Sequence, residues 1–93
     1  MSSYKQERFL DKLDREIRVL LTTKEQLKKS LEFNLKKLNE LNEKNAKQYQ
    51  KVSYYETVKR IRLKIRETQG EISKRYAIRN RANFGLKTII KKN

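Results

Sequence analysis

A dense run of basic residues in the second half of the chain carries the clearest chemical signal. Five of the eight residues from 59 to 66 are lysine or arginine. Arginine presents a planar fork of N–H donors that matches a phosphate group. We therefore predict that this half of the chain binds nucleic acid (DNA or RNA), a nucleoprotein complex or an acidic protein surface. The candidate contacts are Lys59, Arg60, Arg62, Lys64, Arg66, Lys74, Arg75, Arg79 and Arg81.

The charge of the whole chain supports the same prediction. The formal net charge is +14, of which residues 1–50 contribute +4 (12 Lys/Arg against 8 Asp/Glu) and residues 51–93 contribute +10 (13 against 3). Neutralising phosphates releases counterions, so binding of this kind is salt-sensitive and mostly independent of base sequence. No helix-turn-helix, RRM or zinc-finger pattern accompanies the charge. A solvated helix face is the alternative interpretation.

Three tyrosines stand close to the basic run and add a second kind of contact. Tyr49, Tyr54 and Tyr55 have ring faces on which unpaired bases can stack. For Tyr54 we favour packing in the core, because its spacing to the following aliphatic residues is helical.

Residue types that most active sites need are missing. The chain has no cysteine and no histidine, which excludes disulfides and histidine-dependent catalysis and makes a metal site improbable. Residues 10–21 resemble the first helix of the all-helical chorismate mutases, and Lys24 stands near a basic position of that family. The family's later Asp-Arg-Glu stretch has no counterpart after residue 42. We therefore predict no enzyme, cofactor or metal.

The elements that position these residues are predicted from an aliphatic stripe in the first half. Eight of ten positions spaced alternately by three and four are Leu or Ile, and Lys24 and Asn34 interrupt the series. Such a stripe indicates a long helix, about 4–43, that packs on a partner helix. Part of it is a candidate seam for a homodimer. The stripe is Leu10, Leu13, Ile17, Leu20, Lys24, Leu27, Leu31, Asn34, Leu38 and Leu41, and the seam is Leu13, Ile17, Leu20, Leu27, Leu31 and Leu38.

The stripe stops after Leu41, and a new stripe begins out of phase. Its members are Tyr54, Val58, Ile61, Ile65, Ile72 and Tyr76. Ser53 to Glu56 has the pattern of a capping box, so we predict a connection over 44–53 and a second helix over about 54–80. Three alternatives stay open: one continuous helix with a stutter, a helix broken at Gly70, and paired strands, because residues 60–66 alternate strictly.

We expect an all-α, antiparallel helical hairpin or coiled coil, with a basic segment over 81–93 that forms a short helical turn or a tail. The first residues of the sequence lack the apolar stretch of a signal peptide, and no apolar run is long enough to span a bilayer. We therefore expect an intracellular protein. Binding at a membrane surface ranks below assembly with a partner protein. A coiled-coil adaptor, assembly subunit or inhibitor that docks on another protein is the alternative function. Abundant Lys and Asn with few Gly, Pro, Trp or Cys residues is typical of an AT-rich genome, such as a phage or mobile element.

Overall fold

Two long helices make up the described part of the chain. The computed structural model describes the backbone of residues 2–92 and the side chains of residues 5–82. Helix α1 (Ser2–Glu43) and helix α2 (Gln48–Lys92) pack antiparallel as a hairpin of 70 × 17 × 15 Å. The prediction of an all-α helical hairpin is confirmed. Across the described residues, neither helix combines the length and the apolarity that crossing a membrane requires.

The stripe predicted for α1 is the face that packs against α2. Leu13, Ile17 and Leu38 are buried, and the other seven positions of the stripe are half-buried. The alternation of three and four residues keeps these side chains on one side of the helix over its full length. The aliphatic stripe is therefore covered by the second helix of the same chain.

The end of α1 is closed by hydrogen bonds between backbone groups. Asn45 has a left-handed backbone with φ of 54°. The N–H of Ala46 donates to the carbonyl of Leu41 at 2.9 Å, and the N–H of Asn45 donates to the carbonyl of Asn42 at 3.1 Å. This pair of bonds is a Schellman motif, which satisfies the last carbonyl groups of a helix and reverses the chain direction. It excludes the alternative of one continuous helix.

The start of α2 lies six residues earlier than the capping-box pattern predicts. The backbone N–H of Lys47 donates to Oε1 of Gln50 at 3.2 Å, which is the reciprocal bond of a capping box without the usual Ser or Thr. Ser53 lies inside α2, and its carbonyl accepts a hydrogen bond from the hydroxyl of Thr57 at 2.8 Å. The prediction of a connection over 44–53 was wrong, and the connection is residues 44–47.

The inner face of α2 contains most of the predicted stripe, with two differences. Val58, Ile61 and Ile72 are buried as expected. Tyr76 is 39% exposed, so its assignment to the stripe was wrong. Thr68 takes a core position instead and is 7% exposed. Its hydroxyl donates to the carbonyl of Lys64 at 2.7 Å, which satisfies the buried polar group within its own helix.

The strand alternative and the break at Gly70 are both excluded, because residues 48–92 are one helix. The strict alternation of residues 60–66 does not prevent this: Ile61 is buried and Ile65 half-buried, while Leu63 is 55% exposed. The helix also continues past the predicted end at residue 80 to Lys92. In the predicted basic segment, the side chains of residues 83–93 lie outside the described residues.

Both polar interruptions of the α1 stripe find hydrogen-bond partners. Lys24 Nζ donates to Oε1 of Gln69 in α2. Asn34 Nδ2 donates to the carbonyl of Ser30 at 2.7 Å. Lys24 is the more informative of the two, because a bond between the helices fixes which residues lie opposite one another.

Candidate nucleic-acid interface

The basic run of residues 59–66 lies on the outside of α2. Its five cations are exposed, and none forms a hydrogen bond or an ion pair with any side chain that the structure describes. Ile61 and Ile65 hold the run in place, because they lie in the same stretch and pack inward against α1. The charges of Lys59, Arg60, Arg62, Lys64 and Arg66 are thus available to a partner.

Three of these cations line a shallow groove on one side of α2. Lys59, Arg62 and Arg66 follow Tyr55 at intervals of four, three and four residues, which places them along one side of a helix. The groove has a volume of 390 Å³, and its other lining residues are Tyr55, Val58 and Leu63. Arg60 and Lys64 lie on the opposite side of the inner face. The groove therefore combines cations with exposed aromatic and aliphatic surface.

Arg75 points toward α1 and is already paired. Its Nε atom donates to Oε2 of Glu16 at 2.9 Å, and its NH1 atom donates to the carboxylate of Glu71. The hydrogen bond from Arg75 lowers the pKa of Glu71, and the positive charges of Arg75 and Lys74 lower it further. The hydrogen bonds from Glu71 and Glu16 raise the pKa of Arg75.

Arg79 is paired in the same manner one helical turn farther along α2. Its Nε atom lies 2.7 Å from Oδ1 of Asp14 in α1, and its side chain is 37% exposed. Arg75 and Arg79 thus hold the open end of the hairpin together, and we exclude both from the proposed interface. The sequence contained a signal for this role, since both arginines continue the three-and-four spacing of Ile65, Thr68 and Ile72.

The remaining predicted cations lie beyond the run. Lys74 and Arg81 are exposed, and the positive charge of Lys74 acts on the neighbouring Glu71 carboxylate. They stand about 12 and 22 Å along the helix axis from Arg66 at 1.5 Å per residue. They extend the basic surface without joining the groove.

The three candidate tyrosines have different surroundings. Tyr54 is half-buried on the inner side of α2, in agreement with packing in the core. Tyr55 is 47% exposed and lines the groove, whereas Tyr49 is 70% exposed in the first turn of α2. Tyr55 is the tyrosine that the structure brings together with the cations.

Residues 5–82 hold no group of three or more carboxylates that could bind a metal ion. Comparison of the chain with models of protein families, with curated proteins and with solved structures finds no match. The function must therefore be inferred from the charges and surfaces of the hairpin itself.

Proposed function

We propose that the protein is a small, non-catalytic nucleic-acid-binding protein, acting on free nucleic acid or on a nucleoprotein complex through the middle of α2. The observation that carries the proposal is the set of five exposed and unpaired cations in residues 59–66. A phosphate backbone is the ligand that suits closely spaced guanidinium and ammonium groups.

The distribution of the ion pairs supports the same region. The arginines at the open end are neutralised by Asp14, Glu16 and Glu71, whereas those of the run have no described carboxylate within ion-pair distance. A cation with no partner in the fold can contact a polyanion without first breaking an internal ion pair. The interface therefore centres on residues 59–66, with Lys74 and Arg81 at its edge.

The proposal is tested by replacing Arg60, Arg62, Lys64 and Arg66 with Gln and measuring binding to labelled single strands and duplexes by fluorescence anisotropy. We expect the affinity to fall more than tenfold at low salt. On duplex DNA, the slope of log affinity against log salt should shrink by about 0.9 for each phosphate contact that is lost.

The matched control removes the same number of charges elsewhere. Lys28, Lys29, Lys36 and Lys44 are exposed and lie in α1 or in the connection. Replacing them with Gln should reduce the affinity much less. Equal losses in the two variants would mean that net charge alone drives binding, and failure of the unmodified protein to bind either form at low salt would refute the function.

Docking on another protein is the second candidate, and exposed apolar residues on α1 favour it. Val19 is 65% exposed and Phe33 is 60% exposed. They are separated by fourteen residues, or two heptads, so they share one face of α1. A second copy of the chain is one such partner. A homodimer would have to use a surface of this kind, because α2 covers the stripe that was predicted as the seam.

A further inference from the structure

We infer that the groove formed by Tyr55, Val58, Lys59, Arg62, Leu63 and Arg66 binds single-stranded nucleic acid in preference to duplex. The inference rests on the proposed function and names its substrate class. It depends on the composition of the groove, on its place beside α1 and on the spacing of its charges.

The composition of the groove matches a strand whose bases are unpaired. Tyr55 and Leu63 are 47% and 55% exposed, and both line the groove between the cations. A duplex presents its phosphates outward and keeps its base faces stacked inside, so it would leave these apolar surfaces uncovered. A single strand offers both phosphates and base faces, and aromatic side chains bind those faces by stacking.

The position of the groove is unfavourable for the common route to reading a duplex, in which a helix lies in the major groove. Val58 lines the groove and is also buried against α1, so the groove borders the contact between the helices. A ligand that binds in the groove approaches a hairpin whose cross-section is 17 × 15 Å. The major groove of B-DNA is about 12 Å wide and admits one helix. With this side foremost, the two helices together are wider than the major groove.

The spacing of the charges sets the size of the site. Lys59 and Arg66 are separated by seven residues, which is about 10 Å along the helix axis. A stretch of this length matches two or three phosphates of a strand. With three contacts, the salt slope for a single strand should be about −2.

No described carboxylate interrupts this row of charges. Lys59, Arg62 and Arg66 have no ion-pair partner among the described residues. By contrast, Arg60 and Lys64 share their side of α2 with Glu67 and Glu71, which follow Lys64 by three and seven residues. The groove side is therefore the more favourable one for a chain of phosphates.

The test measures the binding of three labelled probes: a thymidine oligonucleotide, a duplex of the same length, and a glutamate polymer as a polyanion without bases. We expect Tyr55→Ala to weaken binding of the oligonucleotide by roughly fivefold or more. Tyr55→Phe keeps the ring and should bind as the parent does. Tyr49→Ala, in the first turn of α2, is the matched control and should change the affinity less than twofold.

A second comparison uses charge. Arg62→Gln with Arg66→Gln removes two cations from the groove, and Arg60→Gln with Lys64→Gln removes two from the other side of the helix. The first pair should weaken binding of the single strand more than the second. Circular dichroism of every variant checks that the hairpin is folded.

Each outcome has a definite meaning. The inference is overturned if Tyr55→Ala leaves single-strand binding unchanged or weakens duplex binding equally, and the proposed function then stands. It is also overturned if the glutamate polymer binds as tightly as the oligonucleotide and responds equally to Tyr55→Ala, which would indicate an acidic protein partner. If neither nucleic acid binds, the proposed function and the inference both fail.

Discussion

The Nε atom of Arg75 in α2 lies 2.9 Å from Oε2 of Glu16 in α1. Arg75 occupies the heptad position that Ile61 and Thr68 occupy nearer the connection. At the open end of the hairpin, this ion pair and that of Arg79 with Asp14 therefore flank the buried aliphatic side chains of Leu13 and Ile17.

The first prediction concerns pH and the Glu71 carboxylate. The hydrogen bond from Arg75 lowers the pKa of Glu71 in the folded protein. Its stabilising effect is therefore complete above the ordinary pKa of a glutamate and is lost as the pH falls through the lowered pKa. We expect Glu71→Gln to flatten the loss of stability between about pH 7 and about pH 3 in urea unfolding followed by circular dichroism.

Glu67→Gln is the control for this experiment, because Glu67 is exposed on the same helix and has no described ion-pair partner. It should leave the pH profile close to that of the parent. Identical profiles for the parent and Glu71→Gln would show that this ion pair contributes nothing to stability.

The second prediction concerns the left-handed residue of the connection. The left-handed conformation destabilises an L-amino acid with a side chain by about 1–2 kcal/mol, and Asn and Gly tolerate it best. Asn45→Ala should therefore lower the free energy of unfolding by about 1 kcal/mol, whereas Asn45→Gly should stay close to the parent. The measurement is chemical denaturation of the three proteins. Asn42→Ala, within the last turn of α1, should be neutral or slightly stabilising, and a loss equal to that of Asn45→Ala would refute the explanation.

The third prediction uses the glycine in the middle of α2. A Cβ atom added at Gly70 would meet no atom within 4 Å. Because glycine costs about 1 kcal/mol relative to alanine inside a helix, Gly70→Ala should raise the free energy of unfolding by about that amount. Ala77→Gly, one heptad further along and also exposed, should lower it by a similar amount. A destabilised Gly70→Ala protein would indicate that the position is covered in solution.

The fourth prediction separates folding from assembly. Leu27 is half-buried against α2, so Leu27→Asp should unfold much of the hairpin because it places a charge in the core. Leu21→Asp, at a residue that is 42% exposed, should remain helical. Sedimentation of the parent measures its oligomeric state directly, and a monomer at all concentrations would refute the proposed homodimer.

The α1 half of the fold was predictable from the sequence because one simple spacing contains every fully buried residue from Leu10 to Leu41. The α2 half was harder to predict from the sequence. Thr68 and Arg75 occupy core positions, but polar residues are normally assigned to the surface. Thr68 is accommodated by a bond within its own helix, and Arg75 by a carboxylate of α1. The carboxylate that pairs with Arg75 cannot be identified from the sequence until the register of the two helices is known.

That register depends on the connection, which was predicted over residues 44–53 and lies at residues 44–47. The closing bonds come from an Asn in the left-handed conformation and from a Gln that reaches back to Lys47, and neither is as recognisable as a glycine or a capping serine. The cations of residues 59–66 face outward, because the isoleucines between them determine which side of α2 is inward. Their binding of nucleic acid stays a prediction.

The short connection also sets the order in which the molecule is assembled during synthesis. Helix α1 is complete when residue 43 has been added, yet its aliphatic stripe has nothing to cover it until α2 follows. At about 5–20 residues per second, the 45 residues of α2 take about 2 to 9 seconds to synthesise. The contact between Asp14 and Arg79 cannot form until residue 79 has been added. The nascent chain is thus most prone to aggregation in the seconds before its second helix has been made.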